Sequence, residues 1–153
     1  MTKLTFLSGI ARQNAVASAC AKPIGDDHSY SEGPPMISTQ TAEHYIWGGN
    51  CDGWVLASGS DLLIIEERMP ANTKEIRHYH HKARQFFYVL SGDLTMELNG
   101  TTHVVPARAG IEIPAKSPHQ ARNDSASDVI FLVISAPTSR GDRADTPTLL
   151  TIP

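Results

Sequence analysis

The sequence predicts an all-β fold, a single small antiparallel sandwich or closed barrel, on three observations. From about residue 43 to residue 135 the chain is a series of short runs rich in Val, Ile, Phe, Tyr and Thr, separated by turn residues. None of these runs is long enough for a convincing helix. Asn99-Gly100 stands between Leu94-Thr95-Met96-Glu97-Leu98 and Thr101-Thr102-His103-Val104-Val105. That dipeptide signals a hairpin, because Asn and Gly tolerate the positive φ angles of a type I′ turn. Many evenly spaced strands without helical crossovers close on themselves as antiparallel sheets.

Taken in order, residues 1–35 read differently from the rest. Leu7 to Ala21 is Ala-rich and suits a short helix, and Gly25-Asp26-Asp27 and Gly33-Pro34-Pro35 then break any regular element. This segment is expected to be an N-terminal arm, ordered where it docks on something. The barrel is expected over residues 36–140. Its strands are predicted at 43–48, 53–57, 61–69, 74–80, 85–91, 93–98, 101–106, 110–114 and 128–135. Residues 141–153 form a C-terminal tail, rich in Pro, Thr and charge and expected to be mobile or draped on the surface.

Two strands are apolar on both faces. In 85–91, Phe87 and Val89 oppose Phe86, Tyr88 and Leu90; in 128–135, Val129, Phe131 and Val133 oppose Ile130, Leu132 and Ile134. Such strands need cover on both sides. One side is the barrel interior, and the other calls for a second subunit or the arm. A homodimer is therefore expected.

Composition narrows the function classes. With 41% hydrophobic and 19% charged residues, the chain is that of an ordinary globular protein. A formal charge of −3 gives no basic surface for a nucleic-acid partner. No apolar run approaches the roughly 20 residues of a membrane span. Ala17-Ser18-Ala19-Cys20 faintly resembles a lipoprotein processing site, but Arg12, Gln13 and Asn14 interrupt the apolar stretch before it. Cys20 and Cys51 do not make a disulfide framework, and reduced thiols in a cytoplasmic protein are expected.

The chemistry gathers around histidines. His78-Tyr79-His80 ends a predicted strand, so both imidazoles project to one face, about 7 Å apart along the chain. That separation lets them converge on one ion at metal–nitrogen distances near about 2 Å. Gln85 opens the next strand four residues on, where a hairpin would lay it beside the pair. His119 follows the stiff turn Pro114-Ala115-Lys116-Ser117-Pro118. His81 has the wrong parity. His28, His44 and His103 lie outside this pattern and are not assigned to a metal.

These spacings resemble the two motifs of the cupin superfamily. The first reads His78-Tyr79-His80, four residues, Gln85, six residues, Gly92, with the cupin-like stretch Phe87-Tyr88-Val89-Leu90-Ser91-Gly92. The second reads Pro114-Ala115-Lys116-Ser117-Pro118-His119-Gln120-Ala121-Arg122-Asn123. The likeness spans about residues 45–136 and implies a small single-domain microbial cupin, a double-stranded β-helix or jelly-roll barrel. Carried over position by position, it implies metal ligands His78, His80, Gln85 and His119. Two positions depart from the pattern. Gln85 stands where the family has Glu, leaving a neutral site and removing a carboxylate that some cupins use to take a proton. Lys116 stands where it has Gly, a change expected to alter only the turn.

An ion held by three histidines with open positions can serve several chemistries. The expected cofactor is one divalent metal ion, Fe, Mn, Ni or Zn. The first reading is a metal-dependent enzyme on a small oxygenated molecule, an oxygenase before others, since three-histidine iron centres of dioxygenases resemble this set. A metal-dependent isomerase or cyclase is an alternative. The other class of reading is a non-catalytic module that binds or senses a small molecule. Arg77, Tyr88 and Glu112 are candidates for contacts around the metal.

Overall fold

The chain's computed structural model describes residues 36–147, which form eleven strands. They are β1 (Glu43–Trp47), β2 (Cys51–Ser58), β3 (Leu63–Met69), β4 (His78–His80), β5 (Arg84–Ser91), β6 (Asp93–Leu98), β7 (Thr101–Pro106), β8 (Gly110–Ile113), β9 (His119–Arg122), β10 (Val129–Ala136) and β11 (Arg143–Asp145). They make two antiparallel sheets, one in the order β1-β2-β3-β10-β5-β8 and the other β11-β4-β9-β6-β7. The predicted helix near residues 7–21, Cys20 and His28 lie outside the described residues. Among the described residues no helix is long and apolar enough to cross a membrane.

Period-2 alternation builds the core. β5 buries Gln85, Phe87 and Val89 while Phe86 and Leu90 face outward, and β10 buries Val129, Phe131, Val133 and Ser135. Leu94 and Met96 of β6 join Phe131, Phe87 and Val89 in one apolar cluster between the sheets. The outer face of β5 and β10 carries the apolar residues expected there. Phe86 and Leu90 are 40% and 42% exposed, and Tyr88, Ile130, Leu132 and Ile134 are half-buried.

The turns follow their residues. Asn99 and Gly100 both have positive φ, 51° and 90°, as a type I′ hairpin between β6 and β7 requires. Gly92 has φ 79°, and a Cβ there would lie 2.8 Å from the Asp128 carbonyl oxygen, so the bend from β5 into β6 has room only for glycine.

Three expectations change. The strand expected at 74–80 shrinks to β4. Before it, Lys74 forms an isolated bridge to Arg122, and the Gln120 side chain occupies the Glu75 carbonyl. β4 and β5 do not form a hairpin. They belong to different sheets, and residues 81–83 carry the chain from one to the other. The tail is partly structured, since β11 pairs with β4 and the next residue is clamped. Arg77 donates to both oxygens of buried Glu97, at 2.7 and 3.3 Å, and to Thr146 Oγ1 at 3.0 Å, while the Thr146 amide donates to the Arg77 carbonyl. Breaking one partner of the buried Arg77–Glu97 pair typically costs about 3–5 kcal/mol, and the two hydrogen bonds to Thr146 tie the post-barrel segment to this anchor.

Candidate metal centre

Register places the histidines. His78 of β4 stands directly across from His119 of β9 in the antiparallel pair. Their rings are 4.4 Å apart, centroid to centroid, and the His78 and His80 rings 4.9 Å. The Nε2 atoms of His78 and His80 approach to 3.2 Å, and a ligating nitrogen from each of the three rings lies within 4.8 Å of the others. All three side chains are buried.

The neighbouring backbone orients two of the rings. His78 Nδ1 donates to the Ile76 carbonyl at 3.0 Å, and His119 Nδ1 to the Ser117 carbonyl at 2.9 Å. A proton held on Nδ1 leaves Nε2 as a bare lone pair. His119 Nε2 and the Gln85 oxygen Oε1 are buried with no partner among the described residues, and Gln85 donates its amide to Ser135 Oγ at 3.2 Å. An acceptor left bare in the interior costs about 1–3 kcal/mol, and a cation supplies what these two lack. Burial also holds the imidazoles neutral, the form that ligates. It lowers His78 and His119 to about 4 each and lowers His80 as well; for His78 the Arg143 charge adds to this, for His119 the neighbouring His78. Donor type, burial and protonation all fit one divalent ion.

The turn before His119 keeps the conformation a glycine would supply. Lys116 has φ 65°, in the left-handed region, with its side chain exposed and its amide donating to the His80 carbonyl at 2.7 Å. Lys116 therefore holds a left-handed conformation that favours glycine, and carries the strain of it. The Asn closing the second motif ties loops together: Asn123 Nδ2 donates to the carbonyls of Met69 and Ser127, both at 2.8 Å.

A cavity of about 440 Å³ opens onto His78, His80 and Gln85. Its wall brings together residues that sequence reasoning missed: Tyr45, Glu67, Glu75, Arg140 and Arg143. Glu75 is paired with Arg143 at 2.9 Å, and burial pushes its carboxyl up. Burial, with the Glu75 charge adding, pushes Glu67 up to about 8; its partner is the Tyr45 hydroxyl, which donates at 3.2 Å. Asp142 accepts from the amides of Lys82 and Ala83, both at 2.8 Å, and so holds the Arg140-Gly141 segment at the cavity wall. The readable signal was parity, since Glu67 shares the inward face of β3 with Leu63, Ile65 and Met69.

Arg77, Tyr88 and Glu112 do not line this cavity. Arg77 serves Glu97, Tyr88 stacks on Phe86 of the outer face, and Glu112 is exposed beside Arg84 at 3.5 Å. Their strand parity turns them away from the histidines. His81 and His103 are exposed and His44 is bound to Asp52 at 2.8 Å, so among the described residues the cluster draws on none of them. Cys51 is a buried free thiol.

A family model for the cupin domain matches residues 65–135, the stretch that carries His78, His80, Gln85 and His119. This stretch of the chain is a cupin domain. Solved cupin-like structures resemble it in fold at low identity. The polyketide cyclase RemF from Streptomyces resistomycificus is 18% identical with a TM-score of 0.66, over 76% of this chain and 88% of that one. KdgF from Halomonas sp. is 16% identical with a TM-score of 0.64, over 70% and 98%. A sugar phosphate isomerase of the cupin superfamily from Silicibacter pomeroyi is 22% identical with a TM-score of 0.59, over 68% and 76%. No curated protein matches the sequence. At these identities the likeness is one of fold, and the chemistry of this cupin rests on its own residues.

Proposed function

We propose that this cupin is a metal-dependent enzyme that acts on a small, oxygenated, anionic molecule. His78, His80 and His119 hold one divalent ion, with the Gln85 oxygen as a fourth, neutral donor. The observation that carries this reading is the convergence of three buried, neutral imidazoles, two of them, His78 and His80, at the wall of a cavity large enough for a small metabolite. When bound, the ion supplies Lewis acidity toward a carbonyl or hydroxyl oxygen and, if it is Fe(II), dioxygen chemistry.

The cavity wall supports the substrate class. Arg140 lines it and, among the described residues, has only Glu43 near its guanidinium, at 3.8 Å, beyond hydrogen-bond range. Its donors are therefore open to a substrate carboxylate. Arg143, by contrast, is committed to Glu75, Asp145 and the Ile76 carbonyl. Two reaction types fit. The neutral ligand set favours an oxygenase, since an anionic substrate adds no excess negative charge at the ion. The Tyr45–Glu67 pair favours proton transfer, as in an isomerase or cyclase.

Anaerobic purification followed by elemental analysis tests the metal. We expect about one divalent ion per chain, lost in His78→Ala or His119→Ala while the barrel stays folded by circular dichroism. Full occupancy in both variants overturns the ligand assignment. Oxygen uptake by the Fe(II)-loaded chain, offered a panel of small diketones and hydroxy acids, separates the oxygenase from the proton-transfer reading. Saturable binding without turnover for any metal favours a sensor.

A further inference from the structure

Three carboxylates line the metal-side cavity, and two of them face a cation: Glu75 with Arg143 at 2.9 Å and Glu43 with Arg140 at 3.8 Å. Glu67 is the third, and its hydrogen-bond partner is a neutral phenol. The chain builds that partnership across an intervening strand. Tyr45 on β1 pairs with Gly53 on β2, and Gly53 pairs with Glu67 on β3. A Cβ at Gly53 would clash with the Tyr45 side chain, closest to Cζ and 2.7 Å from the hydroxyl oxygen. The bare glycine therefore lets the phenol lie across β2 and reach the carboxyl beyond it.

We propose that Glu67, held in place by Tyr45 over Gly53, is the proton-transfer group of this cavity and fills the role left vacant by Gln85. This deepens the reading of the chain as a metal-dependent enzyme and rests on it. In the step envisaged, the Glu67 carboxylate takes a proton from a carbon next to a substrate carbonyl. The C–H electron pair passes into the enolate, and the carboxylic acid formed returns a proton to the same or another substrate atom. No oxidant or second reactant is needed. Burial raises the Glu67 carboxyl to about 8, within reach of a base working near neutral pH. That value already includes the Glu75 charge, which adds to burial, and the Tyr45 hydrogen bond and Arg143, which act the other way. Tyr45 is a positioning residue, since its hydroxyl donates to the carboxyl and stabilises the ionised form.

The test uses the full metal-loaded chain with pyruvate as probe, which offers a carboxylate, a carbonyl and exchangeable carbon-bound protons. Exchange of those protons with deuterated solvent is followed by proton NMR. The wild-type chain is expected to catalyse exchange. Glu67→Gln is expected to slow it by about 100-fold or more with unchanged metal content and little change in pyruvate affinity. Tyr45→Phe and Gly53→Ala keep the carboxyl, and both should move the pH midpoint of exchange upward, because the ionised form loses a donor. A merely structural role for Tyr45 moves stability and leaves that midpoint in place. A readout independent of activity comes from carbon-13-labelled glutamate in the metal-free chain, where one carboxyl should titrate near about 8 and vanish in Glu67→Gln. Undiminished exchange in Glu67→Gln, no exchange by the metal-loaded wild type, or titration of Glu67 in the ordinary carboxylate range each overturns the proposal. Failure of the metal reading looks different: the wild type then holds no ion, and the carboxyl titration, which needs none, still decides whether Glu67 has a base's pKa.

Discussion

Gln85 and the three histidines set the electrostatics of the site one residue at a time. Gln85 offers the ion an oxygen but no charge, so Gln85→Glu should bind Zn(II) at least about tenfold tighter at neutral pH, as read by competition with a chelating indicator. The same change buries an uncompensated carboxylate in the metal-free barrel and removes the donor to Ser135, so the metal-free variant should melt lower. Clearly weaker Zn(II) binding would show that Gln85 does not face the ion. The histidines carry a pH prediction. Burial lowers His78 and His119 from the ordinary value to about 4, so protons compete with the metal only near that pH. Occupancy measured by equilibrium dialysis should stay flat from pH 7 down to about 5 and fall as pH approaches 4. An exposed cluster would begin losing its ion near pH 6.5, the ordinary imidazole value, and a midpoint there would contradict the buried geometry.

At the scale of elements, the segment from β8 through the turn to β9 aims His119. Lys116 holds a left-handed φ there because its amide must meet the His80 carbonyl. A side chain in that region costs about 1–2 kcal/mol, while glycine adds about 0.4–1 kcal/mol of unfolded-chain entropy. Lys116→Gly should therefore stabilise the metal-free barrel by up to about 1 kcal/mol and leave metal affinity unchanged. Lys116→Val, branched at Cβ, should lose stability. Urea unfolding midpoints measure both, and a Gly variant that unfolds earlier would show that the Lys116 side chain contributes contacts of its own. β9 and β11 illustrate the limits of local pattern. His119-Gln120-Ala121-Arg122 and Arg143-Ala144-Asp145 carry almost no β-branched residues, and they become strands because β4 and β6 supply their partners.

For the whole molecule, the outer face of the six-stranded sheet carries the assembly prediction. Phe86 and Leu90 are each about two-fifths exposed beside half-buried Tyr88, Ile130, Leu132 and Ile134. A contiguous apolar surface of this kind is a place for contact, and we predict a homodimer through it. Light scattering should give twice the chain mass, and Phe86→Lys should return it to one chain mass without loss of metal. A wild-type monomer would refute the prediction.

The sequence by itself determined the all-β class, most of the strands, the Asn99-Gly100 hairpin and the three histidines. Each of these rests on a local rule. Alternation along a strand puts His78 and His80 on one face, and positive φ selects Asn and Gly at a two-residue turn. Tertiary structure decided what those residues meet. Antiparallel register set His119 opposite His78, and parity and sheet identity turned Arg77, Tyr88 and Glu112 away from the cavity. The pairing of β1, β2 and β3 carried Tyr45 over Gly53 to Glu67. A side chain's direction follows from its neighbours along the chain, whereas its partner depends on which distant strand lies alongside, and strand order is a property of the closed barrel alone.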